Sequence, residues 1–357
     1  MNYTHNYNKT SLTYDDITLC PSYSEVESRT KIELSTKLST NYTIRVPLVA
    51  SCMDTVCESD MAIKMAELGG VGCIHRFMSI EDQVREVSKV LYVIKKTTSV
   101  EDTSRLSLNF VSTPIMAAVG ANGDYLERAL ELTNAGANVI LIDVAHGHHK
   151  FVKDALGQLK QNLPYWVDVI AGNIATQRAA MDLMDWGADG LRVGIGGGSL
   201  CSTRVQTGFG VPNISSIQQV VEVANVPVMA DGGIRSSGDI AKAIAVGADN
   251  VMLGSLLAGT KESPGNIIEN GDGLYKRYRG SASRETKTIH GQVARNVEGE
   301  STIVPFKGGV EFVVEGLLDG LRSALSYAGA SNLANFWPEY VVVTQSGVNE
   351  ARPHLIY

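Results

Sequence analysis

The chain has no Cys-x-x-C pair and an odd number of cysteines, five in all: Cys20, Cys52, Cys57, Cys73 and Cys201. That arithmetic excludes a disulfide framework of the secreted kind and points to a reducing compartment. Long apolar stretches are missing too. No run approaches the roughly 18 residues of a membrane-spanning helix, and Met1-Asn-Tyr-Thr-His-Asn-Tyr7 has neither the basic nor the apolar segment of an export signal. Neither membrane insertion nor export is expected, and the expected location is cytoplasmic. Positive charge is scarce, with 31 Lys and Arg against 38 Asp and Glu for a net charge of -7. Binding to nucleic acid through a basic face is therefore not expected, although a local phosphate site is compatible with this balance.

What remains is 357 residues, 44% of them hydrophobic, with 35 glycines, which suits a soluble globular chain with a large core. Eight short runs rich in apolar and β-branched residues read as strands: Val46–Ala50, Val71–Ile74, Ile115–Val119, Val139–Ile142, Val167–Ala171, Gly190–Val193, Val226–Ala230 and Asn250–Leu253. Between and after them, apolar residues recur at three- and four-residue spacing, as in Asp60–Leu68, Ile80–Tyr92, Tyr125–Ala135, Phe151–Leu163, Arg178–Trp186, Ile214–Val223 and Asp239–Val246. Several of these segments end in Gly-Ala, where glycine takes the left-handed cap position. Eight strand–helix units predict a closed parallel (β/α)8 barrel spanning 1–357 as one catalytic domain; an open doubly wound sheet is the alternative. Residues 1–45 precede the repeat. Residues 262–308, polar and with little apolar period, are expected to form a mobile flap after the eighth strand. Val310–Tyr327 is predicted to be the helix that closes the barrel, and the tail from Val341 to be a strand and then a polar end.

Active sites of such barrels form at the C-terminal ends of the strands. The residues just beyond each run are Ser51, Met53 and Asp54; His75 and Arg76; Gly120; Asp143; Asn173; Gly194 to Cys201; Asp231-Gly-Gly233; and Gly254-Ser255. Glycines at the ends of strands seven and eight let backbone N–H groups approach a phosphate. The segment Gly194-Ile-Gly-Gly-Gly-Ser-Leu-Cys201 lacks the spacing of a dinucleotide fingerprint. It offers carbonyls suited to a hard cation and delivers a single cysteine to the barrel mouth, with Thr203 two residues on as a proton-handling neighbour. His146-Gly-His148-His149 has no cysteine or carboxylate at ligand spacing, so it reads as a loop orienting Asp143 and not as a metal site.

At these residues the sequence resembles the IMP dehydrogenase/GMP reductase family along nearly its whole length. The matching segments include Leu12-Thr-Tyr-Asp-Asp16, Met53-Asp-Thr55, Leu141-Ile-Asp-Val-Ala-His-Gly-His148, Ala171-Gly-Asn173, Ser199-Leu-Cys-Ser-Thr-Arg204, Ala230-Asp-Gly-Gly-Ile-Arg235, Val251-Met-Leu-Gly-Ser255 and Tyr278-Arg-Gly280. The resemblance implies a purine nucleotide attacked at C2 by Cys201, with Thr203 and Glu298 activating the thiol and protonating the departing amine. It implies that Ser199, Gly233, Gly254, Ser255 and Tyr278 hold the phosphate and Asp231 the ribose. Ser51, Met53, Ser281 and Ala282 would contact base or ribose, and Gly280 and Arg295 complete the nucleotide set. Asp143, Asn173 and Arg76 would face the nicotinamide, and carbonyls of Gly196, Gly198 and Cys201 would meet potassium. Gly197 departs from the family, which usually has proline there.

Within the family, no Arg-Tyr pair of the dehydrogenase flap occurs between Gly280 and Gly308, whereas Arg295-Asn-Val-Glu298-Gly299 resembles the reductase flap. His75-Arg-Phe77 and Gly280-Ser-Ala-Ser283 also look reductase-like, while Ala118-Val-Gly-Ala121 and the tail Gly347 to His354 look dehydrogenase-like. The regulatory CBS pair that many dehydrogenases insert after the second strand–helix unit is missing. The resemblance thus implies reductive deamination of GMP to IMP with NADPH, by a homotetramer. The alternative is NAD-dependent oxidation of IMP by a dehydrogenase lacking CBS domains.

Overall fold

The computed structural model describes residues 10–98, 113–271, 273–289, 295 and 297–350. The eight apolar runs form eight parallel strands: β1 (Leu48–Ala50), β2 (Val71–Ile74), β3 (Met116–Val119), β4 (Val139–Asp143), β5 (Asp168–Ile174), β6 (Gly190–Val193), β7 (Val228–Asp231) and β8 (Asn250–Leu253). They close into one barrel, the last seam pairing Leu253 of β8 with Ala50 of β1. A parallel strand covered by helices is buried on both faces, so these runs are continuously apolar. Their alternation still divides two cores. Val49, Val71, Met116, Leu141, Ile170, Met229 and Met252 fill the barrel interior, while Leu48, Ala50, Ala117, Ile140, Ile142 and Val251 pack outward under the helices.

Those helices are α1 (Ser59–Glu67), α2 (Ile80–Thr98), α3 (Tyr125–Asn134), α4 (Lys150–Asn162), α5 (Gln177–Asp185), α6 (Asn213–Val221), α7 (Ser237–Ala245) and α8 (Val310–Tyr327). Side-chain caps fix several starts: Thr176 accepts from the Ala179 amide and Ser236 from the Asp239 amide. As the sequence predicts, α8 completes the ring, packing against α7 and α1. The chain passes from α2 to β3 through residues 99–115, with no CBS insertion; residues 99–112 of that link lie outside the described set.

The N-terminal segment has structure of its own. A hairpin pairs Thr36–Lys37 with Thr43–Ile44 and floors the barrel, because Leu38 and Ile44 enter the interior core and buried Asp168 at the start of β5 accepts from Ser39 Oγ at 2.6 Å and the Asn41 amide at 2.8 Å. The short strand Ile17–Leu19 pairs antiparallel with Tyr340–Val342. Beyond that strand, the expected polar end is a helix over Gln345–Glu350; Ala351 to His354 of the tail motif lie outside the described residues.

The flap after β8 carries regular elements that its weak apolar period does not foretell. Ile268–Asn270 (β9), Gly273–Arg279 (β10) and Ser301–Pro305 (β11) form a three-stranded antiparallel sheet, and a helix spans Arg284–Ile289. Polar alternation in Gly273-Leu-Tyr-Lys-Arg-Tyr-Arg279 is the pattern of a strand open to water on one face, not of a loop.

Candidate active site

A cavity of about 320 Å³ opens at the C-terminal ends of the strands, and every predicted site residue except Arg295 lines it. Arg295 is exposed, and its recorded contact is a backbone carbonyl accepting from Lys287 Nζ at 2.6 Å.

The thiol sits where the glycine turn after β6 ends. Gly194 has φ 143°, and a Cβ there would lie 2.0 Å from the Asp231 carbonyl oxygen, so the turn depends on glycine where β6 and β7 strand ends converge. At Gly197 a Cβ would come 2.6 Å from Asn213 Oδ1; Asn213, at the head of α6, fills the space that a proline ring would need. Cys201 is exposed and free. Its Sγ lies 3.2 Å from Thr203 Oγ1, which in turn donates to Glu298 Oε2 at 2.8 Å. The carboxylate comes from a distant segment laced into place by backbone bonds. The Ser202 amide donates to the Glu298 carbonyl at 3.0 Å, the Glu300 amide to the Leu200 carbonyl at 2.9 Å, and the Glu298 amide to the Ala282 carbonyl at 3.2 Å. Residues 298–300 thus lie as a strand between the cysteine turn and residues 280–283.

The opposite wall belongs to the ends of β7 and β8. Buried Tyr278 reaches over from β10, its hydroxyl 3.2 Å from Ser199 Oγ; burial pushes its phenol pKa up. A Cβ at Gly254 would lie 3.1 Å from the Tyr278 hydroxyl and 3.3 Å from Met53 Sδ. Glycine there keeps the end of β8 open between those two side chains.

Beneath the cavity runs a charged network that the sequence reading missed. Arg192, inside β6, is buried and bridges two predicted site carboxylates: Nη1 to Asp143 Oδ1 at 2.6 Å, Nη2 to Asp231 Oδ2 at 2.9 Å. Asn173 Nδ2 donates to the same Asp231 oxygen and to the Gly194 carbonyl, both at 2.7 Å. Arg76 Nε lies 3.4 Å from Asp143 Oδ2. Burial alone would raise the Asp143 pKa, but the Arg192 and Arg76 guanidinia outweigh it and hold the carboxyl below the usual carboxylate range. Two arginines, not the histidine loop, orient Asp143. In that loop His148 pairs with Asp182 at 2.8 Å and His149 caps α4. No group of three or more His, Cys, Asp or Glu placed for a metal occurs among the described residues. Phe77, which the sequence offers only within the family-like His75-Arg-Phe77, and Lys287, which carries no signal there, also line the cavity.

A closed (β/α)8 barrel with a free thiol, a hydroxyl and a carboxylate gathered at its strand ends has the layout of a barrel enzyme. The chain belongs to the IMP dehydrogenase/GMP reductase family, whose domain model matches residues 11–354. It is similar to an inosine-5′-monophosphate dehydrogenase of Cryptosporidium parvum, 41% identical over 386 residues covering 96% of this chain and 94% of that protein. It is also similar to a GMP reductase of Leishmania major, 33% identical and covering 96% of each. Among solved structures, GMP reductase from Trypanosoma brucei in complex with guanosine 5′-monophosphate matches with a TM-score of 0.88 and 30% identity over 98% of both chains. The family is one of oxidoreductases that use a nicotinamide dinucleotide. No helix among the described residues is long and apolar enough to cross a membrane.

Proposed function

We propose that the protein is a GMP reductase, converting GMP to IMP and ammonia through a covalent adduct of Cys201 at purine C2. The observation that carries this reading is the string Cys201–Thr203–Glu298. Its donors run from sulfur to carboxylate, so the thiol proton has a path through the Thr203 hydroxyl to Glu298, leaving a thiolate to add to C2. The same carboxyl, now protonated, is placed to return that proton to the departing 2-amino group. A dehydrogenase has no amine to expel. Each turnover consumes one GMP, one NADPH and two protons and yields IMP, NADP+ and ammonium.

The remaining residues take roles of position. Ser199, Gly233, Gly254, Ser255 and Tyr278 are proposed to seat the phosphate, Asp231 the ribose, and Ser51, Met53 and residues 280–282 the base or ribose. Asp143, Asn173 and Arg76 line the part of the cavity proposed for the nicotinamide; NADPH supplies the hydride when bound. Carbonyls of Gly196, Gly198 and Cys201 would supply oxygen donors of the kind that suits a hard cation, and potassium is proposed there to brace the turn. The whole chain is proposed to act as one catalytic domain within a homotetramer. All five cysteines are free, in keeping with the cytoplasm.

The 41% identity to a dehydrogenase favours a second reading, NAD-dependent oxidation of IMP. One paired assay separates the two. Loss of NADPH absorbance with GMP, accompanied by ammonia, is the expected result, and NADH formation from IMP with no GMP-dependent reaction would overturn it. Glu298→Gln is expected to lower turnover about 10²–10⁴-fold, the usual contribution of acid–base help, while GMP still protects Cys201 from alkylation. Unchanged turnover would remove Glu298 from the chemistry.

A further inference from the structure

We infer that Arg279 is a positioning residue that fixes the width of the nucleotide slot by clamping the flap sheet to the loop after β1. Arg279 is the last residue of β10, and its side chain points away from the cavity into a polar seam. Nη2 bonds Asp54 Oδ2 at 2.8 Å and Nη1 bonds Glu285 Oε1 at 3.2 Å. Its backbone amide donates to Thr55 Oγ1 at 3.1 Å. Asp54 is buried and the Arg279 side chain is only 16% exposed, so the pair is shielded from the screening that weakens surface ion pairs.

The clamp stands between groups on both sides of the cavity. Tyr278, directly before Arg279, sets its hydroxyl against Ser199 and Gly254; Gly280, Ser281 and Ala282, directly after it, form cavity wall. On the facing side Met53, next to Asp54, approaches Gly254. Glu285 lies in the first turn of the short helix whose Lys287 lines the same cavity. A planar guanidinium reaches both carboxylates at once, which an ammonium on a flexible stem does not. One side chain therefore holds three segments, 53–55, 278–282 and 284–289, at fixed spacing. Misplacement by about an ångström is enough to lose much of the gain from orientation.

This inference rests on the reading of the cavity as a purine nucleotide seat, and the test keeps the two apart. Arg279→Gln is expected to raise the KM for the nucleotide about tenfold or more while changing the KM for the dinucleotide less than twofold. Arg279→Lys should fall between it and the wild type. The GMP concentration giving half-protection of Cys201 from alkylation should rise with KM. Asp54→Asn should act in the same direction, and the Asp54→Asn/Arg279→Gln double variant should be no worse than the worse single one. Arg277→Gln, on the same strand with its Nε 3.6 Å from Glu285, should leave the nucleotide KM unaltered. Equal nucleotide KM values in Arg279→Gln and wild type, or an equal rise in both KM values, would overturn the clamp. A wild-type enzyme inert toward both GMP and IMP would instead overturn the proposed function.

Discussion

Arg192 shows how one side chain sets the electrostatics of a whole site. A buried guanidinium between two carboxylates is favourable only while both partners remain, and removing one member of such a group typically costs about 3–5 kcal/mol. Arg192→Met is therefore expected to lower stability by roughly that amount, because Asp143 and Asp231 would both stay in place without their shared partner. Arg192→Lys should recover part of the loss, as measured by denaturant unfolding. The pH dependence has a definite sign. Asp143 titrates below its ordinary value in the folded protein, so its contribution is present above the ordinary carboxylate range and is lost as pH falls through about 4 and below. The stability gap between wild type and Arg192→Met should hold steady from pH 7 to pH 5 and narrow under acid; a gap that widened would contradict the pairing. Gly190-Leu-Arg-Val193 reads as one apolar run, yet it holds a signal of its own: an arginine inside a strand whose neighbours Leu191 and Val193 face the outer core has nowhere to go but the barrel interior.

At the scale of elements, the cysteine turn illustrates what glycine content alone does not tell. In the sequence, the five residues from Gly194 to Gly198 read as a carbonyl-rich turn. In the structure Gly194 is held by the close approach of the Asp231 carbonyl, which a methyl group would meet at 2.0 Å. Gly194→Ala is expected to displace the end of β7 and reduce turnover more than tenfold with the barrel's circular dichroism retained. Gly208→Ala, at a left-handed position with nothing within 4 Å of its Cβ, should cost only about 1 kcal/mol and little activity. The barrel strands were legible because burial on both faces leaves an unbroken apolar signature, and three of the eight have the bounds the sequence predicts. The flap sheet was not legible. Its strands carry Lys276, Arg277 and Arg279, with Lys276 buried all the same, and β10 gains its longer partner β11 from more than twenty residues on, which local periodicity does not encode. The string from Cys201 to Glu298 was legible only through family resemblance, since the two residues are nearly a hundred positions apart.

Over the whole molecule, the two ends of the described chain are fastened together. Buried Ile17 pairs with Val342, the Cys20 amide donates to the Glu339 carbonyl at 2.8 Å, and the Val343 amide to the Asp16 carbonyl at 2.9 Å. Ending the chain after Trp337 is expected to leave a folded barrel that is less stable by on the order of 2 kcal/mol, given about 1 kcal/mol for each net backbone bond, and differential scanning calorimetry would register it as a lower midpoint. The eightfold count of strand and helix is enough to foresee closure, and the tail strand is foreseen too, whereas its partner Ile17–Leu19 is a three-residue strand too short to stand out. The lacing of residues 298–300 between the cysteine turn and residues 280–283 has a separate consequence. Because Glu298 belongs to the very stretch that is stitched to the cysteine turn, the proposed mechanism makes seating of the flap and arming of the sulfur a single event, and the rate at which a thiol-directed reagent marks Cys201 would double as a gauge of how often that insertion is seated.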